Sequence, residues 1–521
     1  MQLKEFQNEP LSDFRAGSSQ FQAMQEALRQ TEAQCGREVP LVIDGERIKT
    51  KETFTSLNPS QPDQVIGIVS KANAELAHRA IMAACSAFEA WAKTPVTRRV
   101  EVLLKTAAIL RSRKYEFEAL MVYEAGKPWV EADAEVAEAI DFCEFYAREM
   151  LRLGGAQTLH PISGEKNYLE YLPLGAGVVI PPWNFPLALL AGMAAASLVA
   201  GNTAVLKPSS DTPVVAYKFF EALEEAGAPP GVVNFLPGPG SGVGDALVSH
   251  PQTRFAAFTG SKEVGLHINE LAAKTTPGQI WIKRVIAEMG GKNSIIVDED
   301  SDLDAAVEGV AVSAFGYQGQ KCSACSRAIV TQPVYERFLG RLAERVKAIR
   351  MGDPADPGSE MGPIINERAK KTILAYIETG KQEGRLITGG KGSSRQGHFI
   401  EPTIIAGVSP RARIAQEEIF GPVLAVIEAP DFTGALAIAN NTEYGLTGAV
   451  YTRDPDKLDR AAREFHVGNL YFNRKCTGAM VGVHPFGGFN MSGTDSKAGG
   501  KDYLLLFTQA KIISERIPPG R

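Results

Sequence analysis

Cysteine is scarce, with six in 521 residues, at 35, 85, 143, 322, 325 and 476, and the spacing is irregular. That excludes a disulfide framework and suits a reducing compartment. The seven histidines include no HExxH and no two within five residues, so no histidine zinc site is read and no metal is expected. Neither sign of charge dominates: 55 Lys and Arg face 60 Asp and Glu, for a net charge of -5. Without a polybasic run or an aromatic-basic module, nucleic acid is not an expected partner. Long apolar runs are missing except at 187–206, where Gly201, Asn202 and Thr203 interrupt the run and Pro181, Pro182 and Pro186 precede it. That stretch reads as a buried helix turning into a buried strand, not a membrane span. The polar, mixed-charge opening is not read as a secretion signal, and a cytoplasmic location without membrane attachment is expected.

What is present is ordinary globular material, 44% hydrophobic and 22% charged, at a length of about two to four domains. Residues 72–150 carry apolar residues at helical spacing and predict amphipathic helices. From about Pro173 the texture changes. Short apolar runs at 177–180, 203–207 and 231–235 alternate with helix-like segments at 187–199 and 214–226. A second series follows, with strands at 293–297 and 326–330 and helices at 303–315 and 334–349. This alternation predicts an α/β fold with mostly parallel sheets covered on both faces. Residues 388–397 read as a Gly-rich surface turn.

Three constellations carry chemistry. In the first, Cys322 follows a Gly-containing turn at the end of a predicted helix, where backbone N–H groups favour the reactive thiolate. Taken alone, the segment also fits a small buried cysteine, and Cys322 with Cys325 forms a CxxC open to metal or redox use. Glu288 enters a Gly-Gly turn, where a shielded carboxylate approaches a neutral pKa and serves as a base; a solvated helix-end carboxylate is the bland reading. In the second, Asn184 sits in a stiff PPWNFP turn after an apolar strand and offers an amide donor to an oxyanion. In the third, the Gly-rich segments 238–244 and 258–265 each lie between a strand and a helix, as a pyrophosphate requires. Neither matches GxGxxG or GxxxxGK[ST], so the nucleotide site is irregular, with Lys207 at a strand end as a ribose or phosphate donor.

Together these segments resemble the aldehyde dehydrogenase superfamily over essentially the whole chain. The matching motifs are PWNFP at 182–186, FTGS at 258–261, ExGGKN at 288–293, GQxC at 319–322, EEIFGP at 417–422 and PFGGxxxSG at 485–493. Within it, residues 319–327, 464–474 and 493–500 resemble the Δ1-pyrroline-5-carboxylate (L-glutamate γ-semialdehyde) dehydrogenase branch. The resemblance implies a Rossmann-type cofactor domain with N-terminal helices (1–153 and 174–288), an α/β catalytic domain (289–500) and a small β oligomerisation arm (154–173 and 501–521). The arm segments are expected to pair across a dimer and bury the apolar run 504–507.

It further implies that Cys322 attacks the aldehyde, that Asn184 and the Cys322 N–H hold the oxyanion, and that Glu288 activates the hydrolytic water. Trp183, Lys207, Ser210, Gly238, Gly242, Ser261, Val264, Glu418 and Phe420 would bind the cofactor. Ser323, with backbone at Gly478 and Ala479, would anchor the α-carboxylate of glutamate semialdehyde between Phe185 and Phe486. The expected reaction is oxidation of the semialdehyde to L-glutamate, the second step of proline degradation. Lys207 is followed by Pro208, Ser209 and Ser210, where many NAD-preferring relatives place Glu three residues on, so NAD is expected as main cofactor with measurable NADP use. A homodimer or larger homo-oligomer is expected, and a separate proline dehydrogenase is left open as a partner.

Overall fold

Two seven-stranded sheets organise residues 3–518, the part of the chain that the computed structural model describes. The first contains β1 (Leu41–Ile43), β2 (Glu46–Ile48), β3 (Ala176–Ile180), β4 (Thr203–Leu206), β5 (Val233–Phe235), β6 (Phe255–Thr259) and β7 (Arg284–Glu288), in the order β7-β6-β3-β4-β5-β1-β2. Neighbours from β7 to β5 are parallel, and β1 and β2 close the edge antiparallel. The second contains β8 (Asn293–Val297), β9 (Cys325–Thr331), β10 (Arg385–Thr388), β11 (Thr403–Ala406), β12 (Val423–Ala429), β13 (Thr447–Tyr451) and β14 (Asn469–Phe472), in the order β10-β11-β12-β9-β8-β13-β14. Only β10 runs antiparallel to its neighbour.

Central strands such as TAVL in β4 and NSIIV in β8 are buried throughout, as strands covered on both faces must be. The cover over β3 and β4 includes helix Ala188–Val199, whose Ala-Leu sequence is buried on nearly every side; the apolar run at 187–206 is therefore this helix followed by β4. Among the described residues no helix is long and apolar enough to cross a membrane. The 72–150 region forms four helices, Ala74–Lys93, Val96–Ser112, Lys114–Ala125 and Trp129–Leu153.

The chain order sets the place of the site. From β3 the sheet grows through β4 to β5, and then β6 returns to the other side of β3. The carboxyl ends of β3 and β6 thus diverge at a topological switch point, where open α/β sheets form their crevice.

The arm segments form a three-stranded sheet of Gln157–Thr158, Glu165–Pro173 and Thr508–Arg516. The two long strands pair with each other within one chain, from Thr508 opposite Pro173 to Arg516 opposite Glu165. The expected segment 501–521 ends with 519–521, which lie outside the described residues. Half of the run 504–507 finds cover within the chain, while Leu505 and Leu506 are only partly buried. Leu504 and Phe507 are buried in the same core as Phe255, and Asn202 Nδ2 donates to Phe507 O at 2.9 Å.

One buried acid joins helices distant in sequence. Glu124 accepts the N–H groups of Val214 and Val215, both at 2.8 Å, at the start of helix Pro213–Glu225, together with Ser56 Oγ. Thr212 precedes that helix but makes no side-chain cap, so Glu124 caps it from another helix. Glu124→Ala is expected to cost about 2 to 4 kcal/mol, read as earlier urea unfolding, with partial recovery in Glu124→Gln. An alanine variant as resistant as the parent would contradict the cap.

Candidate active site

The turn that delivers Cys322 is strained. Helix Leu303–Phe315 ends, and Tyr317, Gln318 and Gly319 follow with φ of 49°, 58° and 69°. Two non-glycine residues in the left-handed region are costly unless the surroundings hold them. Tyr317 Oη donates to Ala125 O at 2.9 Å, and Gln318 Nε2 donates to Gly126 O at 3.0 Å and Pro363 O at 2.8 Å. At Gly319 a Cβ would overlap the Gly421 carbonyl, so glycine is required. Beyond the turn, Asn293 Nδ2 donates to Cys322 O at 2.7 Å and Ala324 O at 2.9 Å.

Cys322 opens onto a cleft of about 770 Å³ at the switch point. Its walls are the loops after β3, β4, β5, β6 and β7, closed by Glu418 and Phe420 from the second sheet's side. Of the expected residues, Asn184, Trp183, Lys207, Ser210, Ser261, Val264, Glu418 and Phe420 line it with Cys322. Gly238 and Gly242 do not. Gly238 packs against Val243 and Ala72, Gly242 takes a φ of 95° in open space, and Gly240, Ser241 and Gly244 form that wall. Asn184 is buried, and its Nδ2 donates to Gln320 O at 2.9 Å, which fixes the amide against the nucleophile turn and leaves a second N–H.

Glu288 ends β7 and lies outside the cleft lining. Its Oε1 accepts from the Ser496 hydroxyl and backbone N–H, while Oε2 is buried without a partner. Burial pushes its carboxyl up to about 7, against the pull of the Ser496 hydrogen bonds. The solvated helix-end reading therefore does not describe it. Burial likewise raises Glu418 to about 7 and lowers Lys207 to about 8. The Cys322 thiol moves in the direction opposite to the sequence expectation. Burial, reinforced by the Glu418 and Glu288 carboxylates, pushes it up to about 12, so at neutral pH it rests protonated and needs a base.

The cleft suits a dinucleotide. Lys207 Nζ is buried with a single acceptor, Pro208 O at 3.1 Å, and so keeps donors for ribose hydroxyls. Glu418 uses Oε1 on the Gly291 N–H at 2.9 Å and retains acceptor capacity; a Cβ at Gly290 would overlap its carboxylate. Ser261 caps helix Lys262–Ala273, whose first turn opens on the cleft, where helix-start N–H groups favour an anion.

The expected substrate residues lie outside this cleft lining. Phe185 packs edge-on to Tyr317, with centroids 6.2 Å apart, and Lys127 Nζ sits 3.8 Å from its ring centre. Ser323 O accepts from Thr447 Oγ1 at 3.3 Å and Cys476 Sγ at 3.4 Å, joining the nucleophile turn to the segment that holds Gly478 and Ala479. Phe486 pairs through its backbone with Ala498. All six cysteines are free, and Cys325 is buried.

Sequence reasoning missed several supporting groups. Asn293 and Ser496 lie inside the motifs that carried the resemblance, so their positions were available as a signal. The buried pair Lys127–Glu135, at 2.6 Å, and Glu135 Oε1, which accepts the Leu187 and Ala188 N–H groups, gave none.

Comparison with known proteins agrees with this geometry. The Aldehyde dehydrogenase family model matches residues 47–513. A 1-pyrroline-5-carboxylate dehydrogenase of Geobacillus sp. (strain WCH70) is 58% identical over 513 residues, covering 98% of this chain and 99% of that protein. The crystal structure of 1-pyrroline-5-carboxylate dehydrogenase from Thermus with bound NAD has a TM-score of 0.97 at 53% identity, covering 99% of this chain and 100% of that one. Proline utilization A from Bdellovibrio bacteriovorus, inactivated by N-propargylglycine, also has a TM-score of 0.97, at 45% identity, covering 99% of this chain and 54% of that one.

Proposed function

Since the chain belongs to the aldehyde dehydrogenase family, we propose that it oxidises L-glutamate γ-semialdehyde, the open form of Δ1-pyrroline-5-carboxylate, to L-glutamate with NAD, in proline degradation. The observation that carries this reading is the meeting of Cys322, Asn184, Lys207 and Glu418 in one cleft.

The Cys322 thiol gives its proton to solvent, and the thiolate sulfur bonds to the aldehyde carbon as the C=O π electrons move to oxygen, giving a thiohemiacetal oxyanion. The free N–H of Asn184 and the Cys322 backbone N–H face that oxygen and stabilise its charge. NAD, held by Lys207 and Glu418, supplies the acceptor for the hydride that leaves the carbon as the thioester forms. Glu288 then takes a proton from the water that attacks the thioester, and the carboxylate leaves with Cys322 restored as a thiol. The unpartnered Oε2 and the near-neutral carboxyl of Glu288 support that role. Trp183, Phe420, Ser261 and Val264 complete the cofactor path, and the link from Ser323 O to Cys476 supports Ser323, Gly478 and Ala479 as the α-carboxylate anchor, flanked by Phe185 and Phe486.

In this reading the first sheet, within 1–153 and 174–288, serves the cofactor, residues 289–500 the chemistry, and 154–173 with 501–521 assembly as a homodimer or larger. The likeness to about half of proline utilization A supports a functional link to proline dehydrogenase. Six free thiols suit the cytoplasm.

Substrate choice is tested by NADH formation from pyrroline-5-carboxylate beside succinate semialdehyde and acetaldehyde. The first should be much the fastest; a higher rate with succinate semialdehyde would sink the assignment. Cofactor choice turns on Ser210, which lines the cleft, as Arg368 does, and carries no charge to repel a 2′-phosphate. Ser210→Glu should lower the NADP-to-NAD ratio of kcat/KM by about tenfold or more through like-charge repulsion. An unchanged ratio would place the adenosine ribose elsewhere.

A further inference from the structure

Residues 3–15 form neither helix nor strand, yet they are pinned across helix Trp129–Leu153. The Glu9 N–H donates to Asp141 Oδ1 at 2.7 Å, and the Ser12 N–H donates to Asp133 Oδ2 at 2.8 Å. Asn8 does more than hold the strap down. Its Nδ2 donates both to Asp141 Oδ2 at 2.8 Å and to Val481 O at 3.0 Å, bridging the helix to the loop that contains Gly478 and Ala479. Next to this bridge, Phe6 packs edge-on to Phe145 with centroids 5.2 Å apart. A Cβ at Gly482, where φ is 76°, would lie 3.1 Å from both rings, so these aromatics seat the loop backbone directly. From the other side Arg474 donates to Gly478 O at 3.3 Å.

We infer that Asn8 and Phe6 are positioning residues that set the height of the Gly478–Ala479 backbone for the substrate's α-carboxylate. This rests on the reading of that backbone as the anchor. The loop is exposed at Gly478, Met480, Gly482 and Val483; buried Val481, the Gly482 N–H on Gly499 O at 2.9 Å and the Met480–His484 turn hold its far end, and Asn8 and Phe6 add the strap's contacts to that end. Releasing it spreads the anchoring N–H groups over several positions, which weakens ground-state and transition-state binding alike and raises KM without lowering kcat. An aldehyde without an α-carboxylate does not use the anchor and is unaffected.

The test uses the full chain with Asn8→Ala, Phe6→Ala and the isosteric Asn8→Asp, which sets a second carboxylate against Asp141 and Val481 O without changing volume. KM for pyrroline-5-carboxylate should rise about fivefold to tenfold, the equivalent of one hydrogen bond, with kcat within about twofold. KM for butanal and the affinity for NAD should not move. An equal rise for both aldehydes, or no rise for either, overturns the inference. Ala479→Pro, which deletes an anchoring N–H, separates the two layers. If it raises KM for the pyrroline substrate while the Asn8 variants do not, only the strap's role fails; if it leaves that KM unchanged, the anchor reading fails and the inference with it.

Discussion

Replacing Cys322 with alanine should lower kcat/KM for pyrroline-5-carboxylate by about ten-thousand-fold or more, equivalent to about 5.5 kcal/mol of transition-state stabilisation. On the cleft wall Cys322 supplies the one thiol, and the covalent route has no substitute for its sulfur. NAD affinity should be unchanged, because Lys207 and Glu418 sit on separate loops and keep their own partners. The turn itself should survive, since Tyr317, Gln318 and Asn293 hold it by contacts that do not involve the sulfur. Steady-state rates beside NAD titration check both halves; residual activity within about tenfold of the parent would remove Cys322 from the chemistry.

Glu288→Gln should give a different failure. Glutamine keeps the volume and an oxygen for Ser496, but it cannot accept a proton from water. Hydrolysis of the thioester should slow by about a hundred- to ten-thousand-fold. Acylation continues, so rapid mixing should show a burst of NADH stoichiometric with sites, followed by a stall. The parent's pH dependence carries the same signature. Burial holds the Glu288 carboxyl at about 7, so the ionised base dominates above that pH and is lost below it. Steady turnover limited by hydrolysis should therefore fall on the acid side of about pH 7, while the variant's residual rate should lack that limb. Absence of a burst would move Glu288 to a step before acylation.

The parallel α/β architecture was legible because fully buried strands such as TAVL and NSIIV must be continuous apolar runs bounded by turn residues. Helix Leu303–Phe315 and the position of Cys322 after it were legible for similar local reasons. The strain in between was not. Tyr317 and Gln318 hold left-handed backbone only because Ala125, Gly126 and Pro363, far away in sequence, accept their hydrogen bonds. The protonation state of Cys322 was misread for a related reason: a turn's N–H groups are visible locally, whereas the burial and the two carboxylates that outweigh them come from packing. The Gly-rich segment after β5 borders the cleft, but which of its glycines face it depends on backbone angles that glycine leaves free, and Gly240 and Gly244 line it where Gly238 and Gly242 do not. The cover that Phe507 finds within the chain was not legible because Phe255 and Asn202 lie some 250 to 300 residues upstream.

The most direct test is mass spectrometry of Glu288→Gln, mixed with NAD and pyrroline-5-carboxylate and quenched in acid during the stall. A glutamyl group on the peptide that contains Cys322, absent when NAD is withheld, is the predicted result. An unmodified Cys322 in protein that has produced its burst of NADH, or the adduct on another residue, would contradict covalent catalysis at this thiol.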